Sequence, residues 1–403
     1  MANDVFTLSS DVEISLYTYA SDVFVWGVTR WDDGDKWQDG TATEDWQTIT
    51  AVAASVSVSN GLYLEQGLLR ADPATATIVF QDTNYDPFNN TQVRAGTPVR
   101  VRVRPNPDTA PTTWVTLFQG KIDTMSASYN EQFKNTVILQ CITDLRDYIN
   151  FTAADGITTD PTCYAWNYID AMNTQYPGNS ITYSVLPEDY GFELEGIDSI
   201  DPVLFGDVIN QILDANLAAL IYRPITAPNP VVPYYYKTNA EIGSIATQTT
   251  NVDFEATTSA NPKRSSFYDI TIGFNTDEIV NSITYSTTLG YGPENRKNEE
   301  SITLLGDLAL EATTLHWNDA DADTWANQIT LGLPERRVEQ LSAPVITRAG
   351  QVNLNLLREP MDVASVTADN ANIYIAENYY ITRIEHNITP DNWLATFDLW
   401  KGR

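Results

Sequence analysis

The sequence has little positive charge. Its 403 residues include 23 lysines and arginines against 53 aspartates and glutamates, so the formal net charge is −30. A nucleic-acid-binding surface needs Lys and Arg side chains to neutralise phosphates, so this composition argues against DNA or RNA binding. Two interpretations of the acidity remain: adaptation to salt or solubility, and a surface past which DNA slides without sticking.

Cysteine is also scarce. Cys141 and Cys163 are the only two, and they do not form a CxxC motif. We expect two buried thiols rather than a disulfide framework, a redox pair or a metal site. Residues 1–10 contain one acid and no basic residue, unlike a secretory signal, and the apolar runs are too short to span a bilayer. These features predict assembly in a cytoplasm and no membrane-spanning segment.

Catalytic motifs are missing as well. The sequence contains no HExxH, no GxSxG and no Walker loop. The only histidines, His316 and His386, are expected to be structural, because the sequence provides no evident catalytic partner for either. With 53 carboxylates some pair will be close in any fold, so acids alone do not indicate a glycosidase. We predict that the protein is not an enzyme and has no catalytic, cofactor-binding or metal-binding residues and no cofactor.

Three local clusters have more than one interpretation. The densest acidic cluster is expected to be a solvated loop, with cation binding as the alternative. Its members are Glu188, Asp189, Glu193, Glu195 and Asp198. The segment 32–40, with Glu44 nearby, resembles a calcium loop but lacks the alternation and the closing bidentate Glu of an EF-hand. The aromatic cluster is expected to pack in a core or an interface, with glycan binding as the alternative. Its members are Tyr17, Tyr19, Trp26, Trp31, Trp37 and Trp46.

Alternation of apolar and polar residues is the dominant pattern. It predicts half-buried strands at residues 11–18, 54–59, 98–104 and 137–142. Helical spacing is rarer and predicts helices at about 205–222, 164–172 and 321–331. The segment from about 150 to 262 contains two of these helices and only two basic residues. We therefore predict an N-terminal β region at 1–149, an acidic middle α+β domain at 150–262 and a C-terminal β region at 263–403.

The two β regions are weakly similar to each other. When Pro98 is aligned with Pro360, Phe118 falls on Tyr380 and Ile122 falls on Ile384 without a gap. A tandem duplication would explain this agreement in order and spacing. We therefore expect two similar barrels whose strands superpose around residues 99–141 and 361–399.

Several motifs, taken in order, resemble the hub and minor tail proteins of tailed phages. A Gly-Leu strand at 67–69 is followed by an Ala-Thr-Ile-Val-Phe strand at 76–80 and an Asn-Tyr-Asp-Pro-Phe-Asn turn at 84–89. Gly-Thr-Pro-Val at 96–99 and Leu-Phe-Gln-Gly-Lys-Ile at 117–122 come next. An Ile-x-His-x-Ile-x-Pro-x-x-Trp strand pair closes the series at 384–393. The motifs cover the two β regions, about two thirds of the chain, and none is catalytic.

The resemblance implies a mainly β protein with a smaller α+β part, in which two tail-tube-like β-barrels flank the middle domain. It further implies a homotrimeric hub at the virion tail tip, assembled in the host cytoplasm, that forms a ring around the DNA path. Its partners would be a distal tail or tube protein, a tape-measure protein and a tail fibre or spike, with genomic DNA only passing through the lumen. Two alternatives stay open: a secreted carbohydrate-binding or carbohydrate-cleaving β protein, and an acidic extracellular calcium-dependent structural protein.

Three arginines alternate along the predicted strand at 98–104. Alternation puts Arg100, Arg102 and Arg104 on one strand face, where they would bind phosphates if the face lined a channel. We predict that this face meets acids of a neighbouring element or subunit rather than the lumen, and that the inner wall of the ring is acidic or neutral.

Overall fold

The protein is mainly β. The computed structural model describes residues 12–17, 46–48, 53–65, 68–80, 93–103, 114–130, 133–177, 181–183, 191–199, 201–223, 234–238, 242, 252–255, 264–267, 269–273, 279–330, 337–344, 358–370, 373–390 and 392–401. The turn at 84–89, the segment 32–44, Arg104, Glu188, Asp189 and most of the N-terminal aromatics lie outside these residues. The predicted mainly β class is confirmed.

The described strands and helices are numbered in chain order. The strands are β1 Val12–Tyr17, β2 Trp46–Thr48, β3 Ala53–Glu65, β4 Leu68–Ala71, β5 Thr75–Phe80, β6 Pro98–Val103, β7 Val115–Asn130, β8 Phe133–Ile142, β9 Thr152–Ala153, β10 Ile157–Thr158, β11 Thr162–Cys163, β12 Thr182–Tyr183, β13 Leu194–Glu195, β14 Asp198–Ser199, β15 Val203–Leu204, β16 Ala219–Tyr222, β17 Tyr234–Lys237, β18 Val252–Glu255, β19 Arg264–Ser266, β20 Asp269–Gly273, β21 Ser282–Thr287, β22 Glu294–Lys297, β23 Ala309–Thr314, β24 Arg337–Pro344, β25 Val363–Asn370, β26 Ile373–Thr389 and β27 Asn392–Trp400. The helices are α1 Leu145–Ile149, α2 Ala165–Gln175, α3 Phe205–Asn216, α4 Glu299–Leu305 and α5 Asp319–Thr330.

One sheet contains 15 of the described strands and follows the order β19-β18-β25-β26-β3-β5-β8-β7-β6-β1-β2 along its main path. Strand β27 continues from β26 to β24 and β20, and β4 pairs with β3. The alternation predicted at 98–104 is present on β6, where Val99, Val101 and Val103 are fully buried and the residues between them are half-buried. The predicted strands at 11–18, 54–59 and 137–142 are confirmed by β1, β3 and β8.

The largest hydrophobic cluster lies on this sheet and draws on both β regions, from Val12 to Leu399. Cys141 belongs to it, and burial raises the pKa of this thiol to about 12. Cys163 is buried in a second cluster, so the prediction of two buried free thiols is confirmed. A thiol with a raised pKa holds little reactive thiolate at neutral pH, which suits a structural role.

The second hydrophobic cluster is built on α2 and α3 and draws mainly on residues between about 145 and 236, with Ala74 from the first β region. Helix α2 confirms the helix predicted at 164–172. The helix predicted at 205–222 is too long, because α3 ends at Asn216 and Ala219–Tyr222 form the strand β16. The break is at Leu217, whose φ of 50° is in the left-handed region that a helix cannot continue through.

A small sheet in the order β22-β21-β23 lies apart from the large one and packs on α5. Helix α5 confirms the helix predicted at 321–331. Its Trp325 donates a hydrogen bond from Nε1 to the carbonyl of Asp214 at 2.7 Å, near the end of α3. His316 joins the same contact, since its Nε2 lies 3.0 Å from the carbonyl of Ala215. Within the described residues, no helix combines the length and apolar character that crossing a bilayer requires.

Candidate interface at two open sheet edges

Two sets of five antiparallel strands have the same internal order. The first runs β3-β5-β8-β7-β6 and the second runs β20-β24-β27-β26-β25. In each set the fourth strand is a long one whose first half pairs with the fifth strand and whose second half pairs with the third. We call these the first and the second five-stranded set.

The registers of the two sets also agree. Val101 lies opposite Phe118 in the first set, and Val363 lies opposite Tyr380 in the second. Val363 follows Val101 by 262 residues in the sequence, and Tyr380 follows Phe118 by the same number. This is the alignment that the sequence comparison predicts. Ile122 and Ile384 likewise fall on equivalent strands, since both lie on the long fourth strand and face the third strand.

The two sets are joined through the backbone by antiparallel pairing of β3 with β26. Arg383 to Ile388 lie opposite Gly61 to Val56. Val58 and Ile388 are buried at this joint. Gly61 permits the close approach, because a Cβ atom on it would lie 2.8 Å from the Cβ of Arg383.

His386 lies in the middle of the joint, opposite Val58. Trp393 on β27 donates a hydrogen bond from Nε1 to its Nδ1 at 3.3 Å, so the accepting nitrogen carries no proton. Burial lowers the pKa of His386 to about 4. The imidazole is therefore neutral at pH 7.

The counterparts of the two joined edges remain open within the described residues. The edge of β7 beyond Ile122 corresponds to the edge of β26 that holds β3, and the outer edge of β20 corresponds to that of β3. On β7, Thr124, Ser126 and Ser128 are exposed, while Met125 and Ala127 are half-buried. The β20 edge has the same pattern, with Asp269 and Thr271 exposed and Ile270 and Ile272 half-buried.

Two of the three arginines predicted on β6 contact an acid. Glu13 on the adjacent strand β1 accepts hydrogen bonds from Nε and Nη2 of Arg102, and Nη2 of Arg100 is 3.7 Å from the same carboxylate. Arg102 also lies over the Trp114 ring, 5.7 Å from its centroid. The expected acidic partner is therefore present for Arg100 and Arg102, and it belongs to the same chain.

The basic residues of the middle region also have a partner that the sequence does not suggest. Nε and Nη2 of Arg223 donate to the Glu359 carboxylate, at 2.7 and 2.6 Å, and Nζ of Lys237 lies 3.6 Å from it. Arg223 and Lys237 are the only basic residues between Asp147 and Pro262. Both therefore hold the middle region against the segment that leads into β25.

The remaining predicted residues are not brought together as a site. Glu195 and Asp198 lie on the separate two-stranded sheets of β13 and β14, and Glu193 accepts a hydrogen bond from the Tyr164 hydroxyl at 3.4 Å. His316 is buried between Thr314 and Ala215, and burial lowers its pKa to about 4. In the described part of the chain, no three His, Cys, Asp or Glu side chains meet as a metal site would require.

Comparison with known proteins supports a tail-protein fold. No protein-family model matches the sequence, and no curated protein matches it significantly. The solved tail protein from Neisseria meningitidis MC58 has a TM-score of 0.56 at 10% identity, with 96% of each chain covered. The 43 kDa tail protein of prophage MuSo2 from Shewanella oneidensis has a TM-score of 0.55 at 9% identity, over 96% of this chain and 98% of that one.

A third solved structure agrees. The prophage tail protein gp18 from Listeria monocytogenes EGD-e has a TM-score of 0.50 at 11% identity, over 96% of this chain and 94% of that one. At these identities the likeness concerns the fold. The resemblance to phage tail proteins indicated by the sequence motifs is therefore confirmed at that level, and it extends over almost the whole chain.

Proposed function

We propose, from a fold shared with phage tail proteins, that this protein is a structural component of a phage tail tip. In this proposal it is a baseplate hub or minor tail protein that forms a ring at the end of the tail tube, around the DNA path. The observation that carries the proposal is the repeated five-stranded set, because a ring wall built from repeated units requires like sheets joined edge to edge.

Each five-stranded set is proposed to belong to a tail-tube-like barrel. In the second set, β25 is extended by β18 and β19, and β19 lies near β24, which supports a sheet that closes into a barrel. The proposed layout keeps the predicted boundaries, with β regions at 1–149 and 263–403 around a middle α+β domain at 150–262. The separate core on α2 and α3 supports the middle domain.

The proposed oligomer is a homotrimer. Two barrels per chain give a ring of six similar units when three copies close around an axis. Its neighbours would be a distal tail or tube protein, a tape-measure protein and a tail fibre or spike. The ring belongs to the virion and would be assembled in the host cytoplasm.

DNA passage is consistent with the charge of the chain. DNA carries one negative charge per about 1.7 Å of axis, and a wall rich in Lys and Arg would bind it at many points. The net charge is −30, and the arginines on β6 contact Glu13. We propose an inner wall that is acidic or neutral and lets the duplex move with little friction.

Assembled particles test this function. We expect quantitative mass spectrometry of purified virions to give a copy number divisible by three, and electron microscopy to show the labelled protein as a ring at the tail tip. A protein that is absent from particles, or located away from the tail, would contradict the proposal. A copy number not divisible by three would contradict the trimer.

The non-enzymatic part has its own test. We expect the pure protein to leave peptidoglycan and glycan substrates intact, because the sequence contains no HExxH and no GxSxG motif. Clearing of a cell-wall substrate that is abolished by substituting one specific carboxylate would show that the protein is a hydrolase after all.

A further inference from the structure

We infer that neighbouring copies of this chain join by antiparallel pairing of the β7 edge at Thr124–Ser128 of one copy with the β20 edge at Asp269–Gly273 of the next. This inference rests on the proposed ring and names the surfaces that close it. Its basis is the β3–β26 joint inside the chain. The β7 edge in the first set is the counterpart of the β26 edge in the second, and the β20 edge in the second set is the counterpart of the β3 edge in the first.

The β7 side of the register follows from the ladder partners. Met125 lies opposite Leu139 on β8, and His386 lies opposite Ala395 on β27. Leu139 lies two residues before the residue that pairs with Ile122. Ala395 likewise lies two residues before the residue that pairs with Ile384. Met125 is therefore the counterpart of His386, although the two strands have their bulges at different places.

The β20 side follows in the same way. Val58 on β3 pairs with Ala76, and Ile270 on β20 pairs with Leu341. Ala76 and Leu341 in turn pair with equivalent positions of β8 and β27. Ile270 is therefore the counterpart of Val58.

The internal pair His386–Val58 thus predicts that Met125 lies opposite Ile270 of the next copy. The flanking pair Glu385–Ser59 predicts Thr124 opposite Thr271 in the same way. This register is chemically consistent, since it brings two half-buried apolar side chains together on one face and two exposed threonines together on the other. A shift by one residue would bring each apolar side chain opposite a polar one.

The burial of the existing joint shows what pairing does to these positions. His386 and Val58 are buried where β3 and β26 meet, whereas Met125 and Ile270 are only half-buried at their open edges. Open strand edges with apolar side chains are templates for pairing with another chain. Because each copy offers one edge of each kind, the contact is head-to-tail and closes a ring when the rotation per copy permits.

Cysteine cross-linking in assembled particles and in concentrated pure protein tests the inference. The variant combining Thr124→Cys with Thr271→Cys puts two thiols at directly opposed positions, where antiparallel Cα atoms are about 4.5 to 5.5 Å apart and a disulfide fits. The matched control combines Ser128→Cys with Thr271→Cys. Ser128 is exposed on the same face of β7 but about 13 Å along the strand, which is too far for a disulfide.

We expect mild oxidation to give reducible dimers and trimers for the Thr124→Cys, Thr271→Cys variant, and at least tenfold less for the control and for each single variant. Equal yields for both pairs, or no linked species in either sample, would overturn the inference. Rings or trimers seen by electron microscopy without this linkage would overturn the inference alone and leave the proposed function standing. Absence of the protein from tails would count against the proposed function instead.

Discussion

The two five-stranded sets share strand order and hairpin register but differ at their margins. In the first, β6 is followed by the antiparallel strand β1, and in the second, β25 is followed by the parallel strand β18. The long strand β26 has β3 on its edge, whereas the equivalent edge of β7 is open in the described residues. Backbone pairing within the hairpins is therefore the feature that the two sets share, while their connections and outer contacts differ.

Equivalent positions also contribute to different cores. Phe118 and Tyr380 occupy the same place in the two registers, and both are buried. Phe118 belongs to the large cluster on the main sheet. Tyr380 belongs to a smaller cluster with Leu62 of β3 and Ile221 of β16, so it packs the second set against the middle region.

The largest expected effect comes from truncating these two side chains. We expect Phe118→Ala to lower the free energy of unfolding by about 3 to 5 kcal/mol, because it leaves a cavity in a fully buried position. Tyr380→Ala should also destabilise, but in addition it should speed hydrogen exchange at Ala219–Tyr222. Urea unfolding and exchange mass spectrometry measure both, with Tyr380→Phe as the conservative control. Equal exchange at β16 in the two Ala variants would contradict the division into two cores.

The second prediction concerns the pH dependence of stability that His386 on the joined edge of β26 produces. His386 has its pKa lowered to about 4 by burial, whereas its counterpart on β7 is Met125. The unfolded chain binds a proton below about pH 6.5 and the folded chain only below about pH 4. Stability from the neutral imidazole is therefore complete above pH 6.5 and falls as the pH drops from 6.5 to 4, by on the order of 3 kcal/mol.

Unfolding of the wild type and His386→Gln across this pH range measures the effect. We expect the variant to be less stable at pH 7 but to lose less stability between pH 6.5 and 4. The control is His316→Gln, which removes the other buried histidine with a pKa near 4. It should flatten the curve in a similar way without weakening the β3–β26 joint. Parallel curves for the wild type and His386→Gln would show that this histidine does not carry the acid sensitivity.

Local sequence patterns predict much of this fold because they report which strand face is buried. The valines of β6 alternate in the sequence and are buried in the structure, and the spacing between Val101 and Phe118 is repeated between Val363 and Tyr380. The end of α3 is different, since nothing in an apolar run reveals that Leu217 turns left-handed and starts a strand.

The candidate interface was harder to predict. The joint connects β3 to β26 across most of the chain, and pairing at such a distance leaves no local pattern. The alternation of Asp269 to Gly273 is a strand signal that periodicity analysis would find, but it does not say which edge stays open. The partners of Arg223 and Lys237 depend on tertiary contacts with Glu359 and are likewise not readable from spacing.

A third prediction concerns the close approach at the joint. We expect Gly61→Ala to destabilise by about 1 to 3 kcal/mol, because the new Cβ would lie within 3 Å of both Cα and Cβ of Arg383. Gly96→Ala is the informative comparison, since a Cβ there meets no atom within 4 Å but the φ of 88° still disfavours it. Exchange at β26 residues 383–388 should rise only for Gly61→Ala. Unchanged exchange there would mean that the joint tolerates the side chain.

The smallest expected effect concerns the link between the middle region and the second five-stranded set. Glu359 is the shared partner of Arg223 and Lys237, and Arg223 also lies over the Tyr235 ring at 4.2 Å. Glu359→Gln keeps the shape of the side chain but leaves both cations without this carboxylate. The Arg223 side chain is 41% exposed, so solvent screens the pair and the expected loss is only about 1 kcal/mol. Because the loss is electrostatic, the difference from wild type should shrink at high salt.

Urea unfolding at low and high salt measures this difference, and exchange at Tyr234–Lys237 locates it. The matched control is Glu294→Gln, which removes an exposed acid on β22 and the same formal charge. If the two variants respond to salt alike, the effect of Glu359→Gln comes only from the smaller net negative charge of the chain. If Glu359→Gln alone loosens β17, the two basic residues of the acidic middle region serve to hold it against the strand region that leads into β25.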